Sequence, residues 1–236
     1  MGKGNTVQKT PNWSLQQLPE MDIQQFHQWQ ALLEARTGVC VTDQRRVFLQ
    51  TSLATRMREL QIEDYQSYYE YVTQGPAGAI EWSALIDHLT VRETSFMRHR
   101  PSFDCVQHHL QGLLARRQAD QPLQLWSLAQ LRVEGGKLEI VPTLRDRICF
   151  TRLNILELAQ APIRDLDIIF CQNLLIYFRR WRRRDLLNLL AKRLAPGGML
   201  IIGLGEIVDW NNPLLEPVPD DRVQAYVRRD THESLE

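Results

Sequence analysis

The side chains able to do chemistry concentrate between Asp167 and Glu206. Gln172 and Asn173 follow the apolar run Asp167-Ile168-Ile169-Phe170-Cys171, and Gly203-Leu204-Gly205-Glu206 closes a second run that starts at Met199. Such runs fit parallel strands covered on both faces. Between them, Leu187, Leu190, Ala191 and Leu194 mark one face of a helix from Arg180 to Leu194, and Pro196-Gly197-Gly198 supplies its stop. Strand, helix and strand make one βαβ unit with a right-handed crossover. Ligands of open parallel sheets bind beyond the carboxyl ends of the strands. The Gln172-Asn173 pair and the Gly203–Glu206 tip therefore face one crevice. Asn173 is a hydrogen-bonding group for a polar ligand there; it is equally a turn former, and both readings stay open.

The rest of the chain must position these tips. Its 236 residues have a formal net charge of +0, 44% hydrophobic and 24% charged residues. That composition fits one large or two small globular domains and gives no overall case for nucleic acid. No apolar run reaches membrane-spanning length, and the polar start MGKGNTVQKTPNWS lacks an apolar signal core. Cys40, Cys105, Cys149 and Cys171 lack pair spacing, which points to buried free thiols in a reducing compartment, with no metal site.

Residues 1–20 read as a mobile lead-in. Four helical patterns follow, marked by Phe26, Trp29 and Leu33; by Leu49, Leu53, Met57 and Leu60 with Thr42-Asp43 as N-cap; by Tyr65, Tyr68, Tyr69 and Val72; and by Trp82, Leu85, Ile86 and Leu89 after the Gly75-Pro76 break. Short links between them predict a helical bundle over 21–89. Arg45 and Arg56 lie about three turns apart on one helix face, flanked by Arg46 and Arg58. That is either a solvated basic face or a docking face for an acidic partner. Arg179, Arg180, Arg182, Arg183 and Arg184 form a second basic cluster at a helix start, against the macrodipole, with the same two readings. A helix over 103–117, a strand ending at Trp126-Ser127, a loop over 211–221 and a last strand at 223–227 complete the pattern.

FCQNLLIYF followed by LAPGGMLIIGLGE resembles the chemotaxis-receptor glutamate methyltransferases, the CheR type, which read roughly FCRNVLIYF and LKPGGYLFLGHSE. TGVCVTDQRRVFLQTSLATRMREL and YQSYYEYV resemble the N-terminal helical domain of that family. LTVRETSFMRHRPSF resembles its segment TNxTxFFRExxxF, with Arg92 in place of Asn; the ETSFMRH wording points to the twitching-motility branch. The resemblance implies an α/β fold, a helical bundle followed by a Rossmann-like methyltransferase sheet over 90–236. It implies S-adenosylmethionine as cofactor, held by Thr94, Arg98, Asn154, Ile155, Gln172 and Asn173. Gln172 departs from the family's Arg, and a strand-end Asn is the alternative for Asn154. Arg98 would grip the substrate carboxylate by a bidentate pair. Tyr177 would orient that carboxylate, or else be a partly buried aromatic at a turn. No general base is needed, because a glutamate is ionised at neutral pH. Arg45, Arg46, Arg56 and Arg58 would meet the cytoplasmic helices of a methyl-accepting chemoreceptor. The protein would be a cytoplasmic monomer without membrane insertion.

One part of the family pattern is missing. After Trp-Ser the family continues into a glycine-rich loop and a helix, whereas Trp126-Ser127 here runs into Leu128-Ala129-Gln130. Residues 131–141, around Gly135-Gly136, give a hairpin signal, and Ile148–Arg152 is the next strand candidate. The span from Ser127 to Ile148 is about twenty residues, half of them hairpin, while a βαβ unit takes ~30 or more. No crossover helix fits, so the predicted sheet is incomplete. Bonds to a charged group contribute roughly 1.5–3 kcal/mol each. Losing two or three costs very roughly two to six decades of affinity. The expectation is therefore impaired glutamate methylation with doubtful cofactor binding. The alternatives are a non-catalytic receptor-binding relative and an inactive deletion product.

Overall fold

The computed structural model describes residues 20–90, 99–116, 121–128, 149, 151 and 153–230. The chain divides into two compact units, one of residues 1–34 and 41–91, the other of residues 35–40 and 92–236. Among the described residues, no helix is long and apolar enough to cross a membrane.

The first unit is helical: α1 (Ile23–Thr37), α2 (Arg46–Leu60), α3 (Tyr65–Thr73) and α4 (Gly75–Leu89). The apolar stripes read from the sequence turn inward. Phe26, Leu33, Leu49, Leu53, Met57 and Tyr68 are fully buried. Trp29 stacks on Tyr68 at 5.4 Å and meets Tyr69 edge-on at 5.3 Å. Two details differ from expectation. Thr42 caps no helix with its side chain; it precedes a 3-10 turn, Asp43–Arg45, that leads into α2. Gly75-Pro76 starts α4 instead of breaking before it, because proline in the first turn gives up no intrahelical bond. The buried stripe of α4 is Gly78, Glu81, Leu85 and Leu89, leaving Trp82 and Ile86 half-buried. At Gly78 a Cβ would lie 2.3 Å from the Tyr71 carbonyl, so only glycine allows α3 and α4 to approach this closely.

Glu81 is the buried charge of this unit. Arg56 grips it with two parallel bonds, Nε to Oε1 at 2.8 Å and an Nη to Oε2 at 2.6 Å, and the Tyr68 hydroxyl donates to Oε1 at 2.7 Å. Burial, then Glu81, pushes the Tyr68 phenol far above its ordinary range. Arg56 also pairs with Glu59. A buried pair loses far more when one partner is removed than it contributes as a whole. Glu81→Ala should therefore cost about 3–5 kcal/mol of unfolding free energy, measured by urea denaturation; a loss within the range of a surface substitution would refute the role given to this network.

The second unit holds α5 (Arg100–Arg116), β1 (Leu125–Leu128), a 3-10 turn (Ile155–Gln160), β2 (Leu166–Cys171), a second 3-10 turn (Leu175–Tyr177), α6 (Arg180–Ala191), β3 (Leu194–Ile202), β4 (Leu215–Pro217) and β5 (Gln224–Arg228). The sheet order is β1-β2-β3-β5-β4. β1, β2 and β3 are parallel, while β5 and β4 continue antiparallel. Successive residues of β2 feed two cores. Ile169 and Cys171 pack with Leu186, Leu187 and Leu190 of α6. Ile168 and Phe170 pack with Val106 of α5, and Phe103 stacks on Phe170 at 5.3 Å. A continuous apolar run is what two covered faces require.

The Pro-Gly-Gly expectation is corrected. α6 ends at Ala191, and Pro196-Gly197-Gly198 lies inside β3 as an irregularity: Leu194 pairs with Leu166, and pairing resumes only at Met199 with Ile168. Gly197 has φ +71°, and a Cβ on Gly198 would sit 2.7 Å from the Leu166 carbonyl. The run over 211–221 also contains a short strand, β4. The expected hairpin at 131–141 lies outside the described residues, as does most of the 148–152 strand candidate; Cys149 and Thr151 lie in no strand. Of the four free cysteines only Cys171 is buried, and Cys149 is exposed.

Candidate functional site

The site is built where β2 and β3 end side by side. Beyond Cys171, Gln172 turns its amide inward: Nε2 donates to the Ser102 hydroxyl at 2.8 Å and to the Ile202 carbonyl at 3.3 Å. Ser102, fully buried in the first turns of α5, also bonds His99 Nδ1 at 2.8 Å. The chain entering α5 is thereby tied to the β2 tip. Asn173 is exposed with φ +57°, a left-handed conformation that asparagine tolerates better than most residues. It reverses the strand and leads into the turn Leu175–Tyr177.

Glu206 lies beneath this turn, 4% exposed. Its Oε2 accepts the Gly203 amide at 2.8 Å. Its Oε1 is buried without a hydrogen-bond partner, and the backbone amides of Asn173, Leu175 and Ile176 act on the carboxylate. A Cβ on Gly203 would lie 2.5 Å from the carboxylate, so a side chain there would displace Glu206 from this position. Burial raises the Glu206 pKa, opposed by these backbone amides. Burial also pushes the neighbouring Cys171 thiol up, with Glu206 adding to it. From α6, Arg183 donates to the carbonyls of Phe178 at 2.8 Å, Glu206 at 2.7 Å and Ile176 at 3.4 Å. Arg183 thus leaves the basic cluster and clamps both tips. At the other end of β2, the Asp167 carboxylate accepts the Gln124 amide at 2.7 Å and anchors the entry to β1.

The description "CheR methyltransferase, SAM binding domain" matches residues 129–224, and "CheR methyltransferase, all-alpha domain" matches residues 24–90. Together they take in more than half of the chain. The chain belongs to the CheR methyltransferase family. Among its relatives is "Chemotaxis protein methyltransferase 2" of Vibrio cholerae serotype O1, 21% identical over 234 residues, with 72% of this chain and 81% of the relative covered. A protein of the same name from Pseudomonas aeruginosa is 23% identical over 247 residues, covering 77% and 85%. "Chemotaxis protein methyltransferase 1" of that organism is 36% identical over 74 residues, 31% of this chain and 27% of the relative. The 234 positions aligned with the first relative draw on only 72% of a 236-residue chain, so part of the aligned length of that relative has no counterpart here. S-adenosylmethionine-dependent methylation in chemotaxis is the activity of this family, and S-adenosylmethionine is its cofactor.

The residues implied by the CheR resemblance fall into four groups. Gln172 and Asn173 stand at the crevice tips, but the Gln172 amide is spent on Ser102 and Ile202. Asn154 caps the turn Ile155–Gln160 through the Leu156 amide at 3.1 Å and donates to the Arg36 carbonyl at 3.3 Å, while Ile155 packs against the core. Tyr177 is 5% exposed in the apolar cluster with Leu175 and Phe178, the placement of a buried turn aromatic. Thr94, Arg98 and Arg92 lie outside the described residues. Described residues fit S-adenosylmethionine on one side only: Asn173 and the glycine-bearing tip of β3 remain available, and β1 has a hydrogen-bonded neighbour on one edge alone among them.

The four arginines of the first unit do not form one basic face. Arg56 is committed to Glu81, Arg46 donates to the Met21 carbonyl and lies 5.8 Å from the Phe26 ring, and Arg45 lies over Phe48 at 4.8 Å. Arg58 is exposed. Sequence reasoning passed over Ser102, Arg183 and the inward aim of Glu206. The one available signal was that Glu206 closes a Gly-Leu-Gly tip.

Glu206 carries a pH prediction. Its pKa in the folded chain is raised above the ordinary 4.5, so the folded state holds the proton more tightly than the unfolded. The contribution is greatest below the ordinary value and falls as pH rises through the raised one. Urea unfolding across pH should show this fall and Glu206→Gln should flatten it; an unchanged slope in the variant would remove Glu206 as the source.

Proposed function

We propose that this chain keeps the framework of a protein-glutamate O-methyltransferase for chemoreceptor-type signalling proteins, with weakened S-adenosylmethionine binding. The observation that carries the reading is the pair of locked tips after β2 and β3, at the carboxyl edge where a doubly wound sheet binds its ligand. The weakening is supported by the short run after Ser127, by the aligned length of the first relative without a counterpart, and by the inward commitment of Gln172. When bound, S-adenosylmethionine supplies the methyl group; the described residues fit only one side of it, so no catalytic step is derived.

Arg98 is assigned to the substrate carboxylate on the strength of the resemblance. Its neighbour His99 is tied through Ser102 to Gln172, which supports that assignment. The partner is a cytoplasmic receptor helix, and the protein acts as a cytoplasmic monomer. The second reading, a receptor-binding relative without turnover, is favoured by the same short run after Ser127.

Calorimetric titration should show no micromolar S-adenosylmethionine binding; micromolar affinity would overturn the weakened-site reading. In a tritiated methyl-transfer assay on receptor fragments, incorporation should be low, and Arg98→Ala should abolish what remains. Unchanged incorporation in that variant would take Arg98 out of the site.

A further inference from the structure

Four large apolar side chains are left exposed on the segments that Arg183 gathers at the strand tips and the start of α6. They are Ile176 at 52%, Trp181 at 53%, Leu204 at 54% and Val208 at 62%. Ile176 lies on the turn whose carbonyl Arg183 holds, and Leu204 on the β3 tip closed by Glu206. Val208 is beside Asp209, whose carboxylate pairs with Arg180 at 3.1 Å and whose carbonyl accepts Arg184 at 3.0 Å. Trp181 sits between these arginines and carries the Arg182 guanidinium 4.4 Å above its ring. Exposed apolar groups gathered within charged surroundings are the mark of an interaction site.

The charge says what kind of partner fits. The first turn of α6 contains no acidic residue, yet Arg180, Arg182, Arg183 and Arg184 all fall in its first five positions. Cations there oppose the helix macrodipole, and an anion relieves both. Arg180 is offset by Asp209 and Arg183 is turned onto carbonyls. Arg182 and Arg184 have no carboxylate partner among the described residues. Tryptophan and arginine are also the side chains that most often carry interface energy.

We infer that Ile176, Trp181, Leu204 and Val208, framed by Arg182 and Arg184, dock an acidic amphipathic helix at the mouth of the crevice. The apolar stripe of that helix lies on the four side chains and its carboxylates meet the arginines. This deepens the proposed function, on which it rests, by giving the glutamate-bearing substrate helix a landing surface on the second unit. Arg45, Arg46 and Arg56 are occupied within the first unit, whereas Arg182 and Arg184 frame exposed apolar side chains on the second.

The test uses the full chain and a fluorescein-labelled amphipathic peptide with leucines on one face and glutamates flanking them. Fluorescence anisotropy should show binding that weakens with salt. A Trp181→Ala/Arg182→Glu variant, checked for an unchanged thermal melt, should lose at least ~10-fold in affinity. Arg58→Glu, on the first unit, should stay within about twofold of wild type. A peptide with glutamine for glutamate should bind as weakly as the variant does. Equal affinity of variant and wild type would overturn the surface. So would self-association of the free chain abolished by the variant, or tighter binding to duplex DNA than to the peptide. No peptide binding by the wild-type chain would also overturn it, while the calorimetric titration judges the cofactor reading separately.

Discussion

A buried carboxylate and a guanidinium hold together the part of this protein that resembles an active site. Glu206 takes the Gly203 amide and lies beneath the amides of the Asn173–Ile176 turn, while Arg183 takes three carbonyls from the same two loops. Without these links the two tips would be independent surface loops, which are ordinarily the most mobile part of a domain. With them, the positive φ of Asn173 is maintained by its surroundings. The arrangement has a cost: one Glu206 oxygen is buried without a well-formed bond, and its charge is disfavoured by burial. Strain and unmet polar groups of this kind collect where a fold must hold a special shape.

The same logic separates the two units. In the first, the buried charge serves packing: Glu81 is satisfied by Arg56 and Tyr68, and the bundle closes around it. In the second, buried polar groups converge on one edge of the sheet, through Gln172, Ser102 and Glu206. That convergence falls at the carboxyl edge, where open α/β sheets bind their ligands. The edge of the described sheet lies at β1, one strand from the locked tips. The wall formed by the β2 and β3 tips is thus well built, while the other side of the crevice finds no support in the described residues.

Much of the fold was legible in the residues. Period-3.6 stripes marked α1 to α4, and alternation was absent from β2 and β3 because both faces are covered. FCQNLLIYF marked the strand-turn-helix at once. The failures have particular causes. Pro196-Gly197-Gly198 reads as a helix stop in isolation, but pairing with β2 draws it into β3, where its glycines allow the bulge. β4 is only three residues long and exists because β5 pairs with it. The basic stripe of α2 dissolved because Glu81, twenty-five residues away, claims Arg56.

Sequence alone settled the family, the helical and sheet-bearing segments, and the shortness of the run after Trp126-Ser127. These depend on local periodicity, on turn residues and on counting, all of which are written along the chain. Tertiary structure alone decided which polar groups are spent and which remain. Gln172 and Asn154 look like ligand-binding amides by position, and both are committed to neighbours brought by distant segments. Arg183 is one of five similar arginines, and the carbonyls of Ile176, Phe178 and Glu206 turn it inward. A hydrogen bond is a property of two places in space, so a single position in the chain cannot disclose whether its donor is still available.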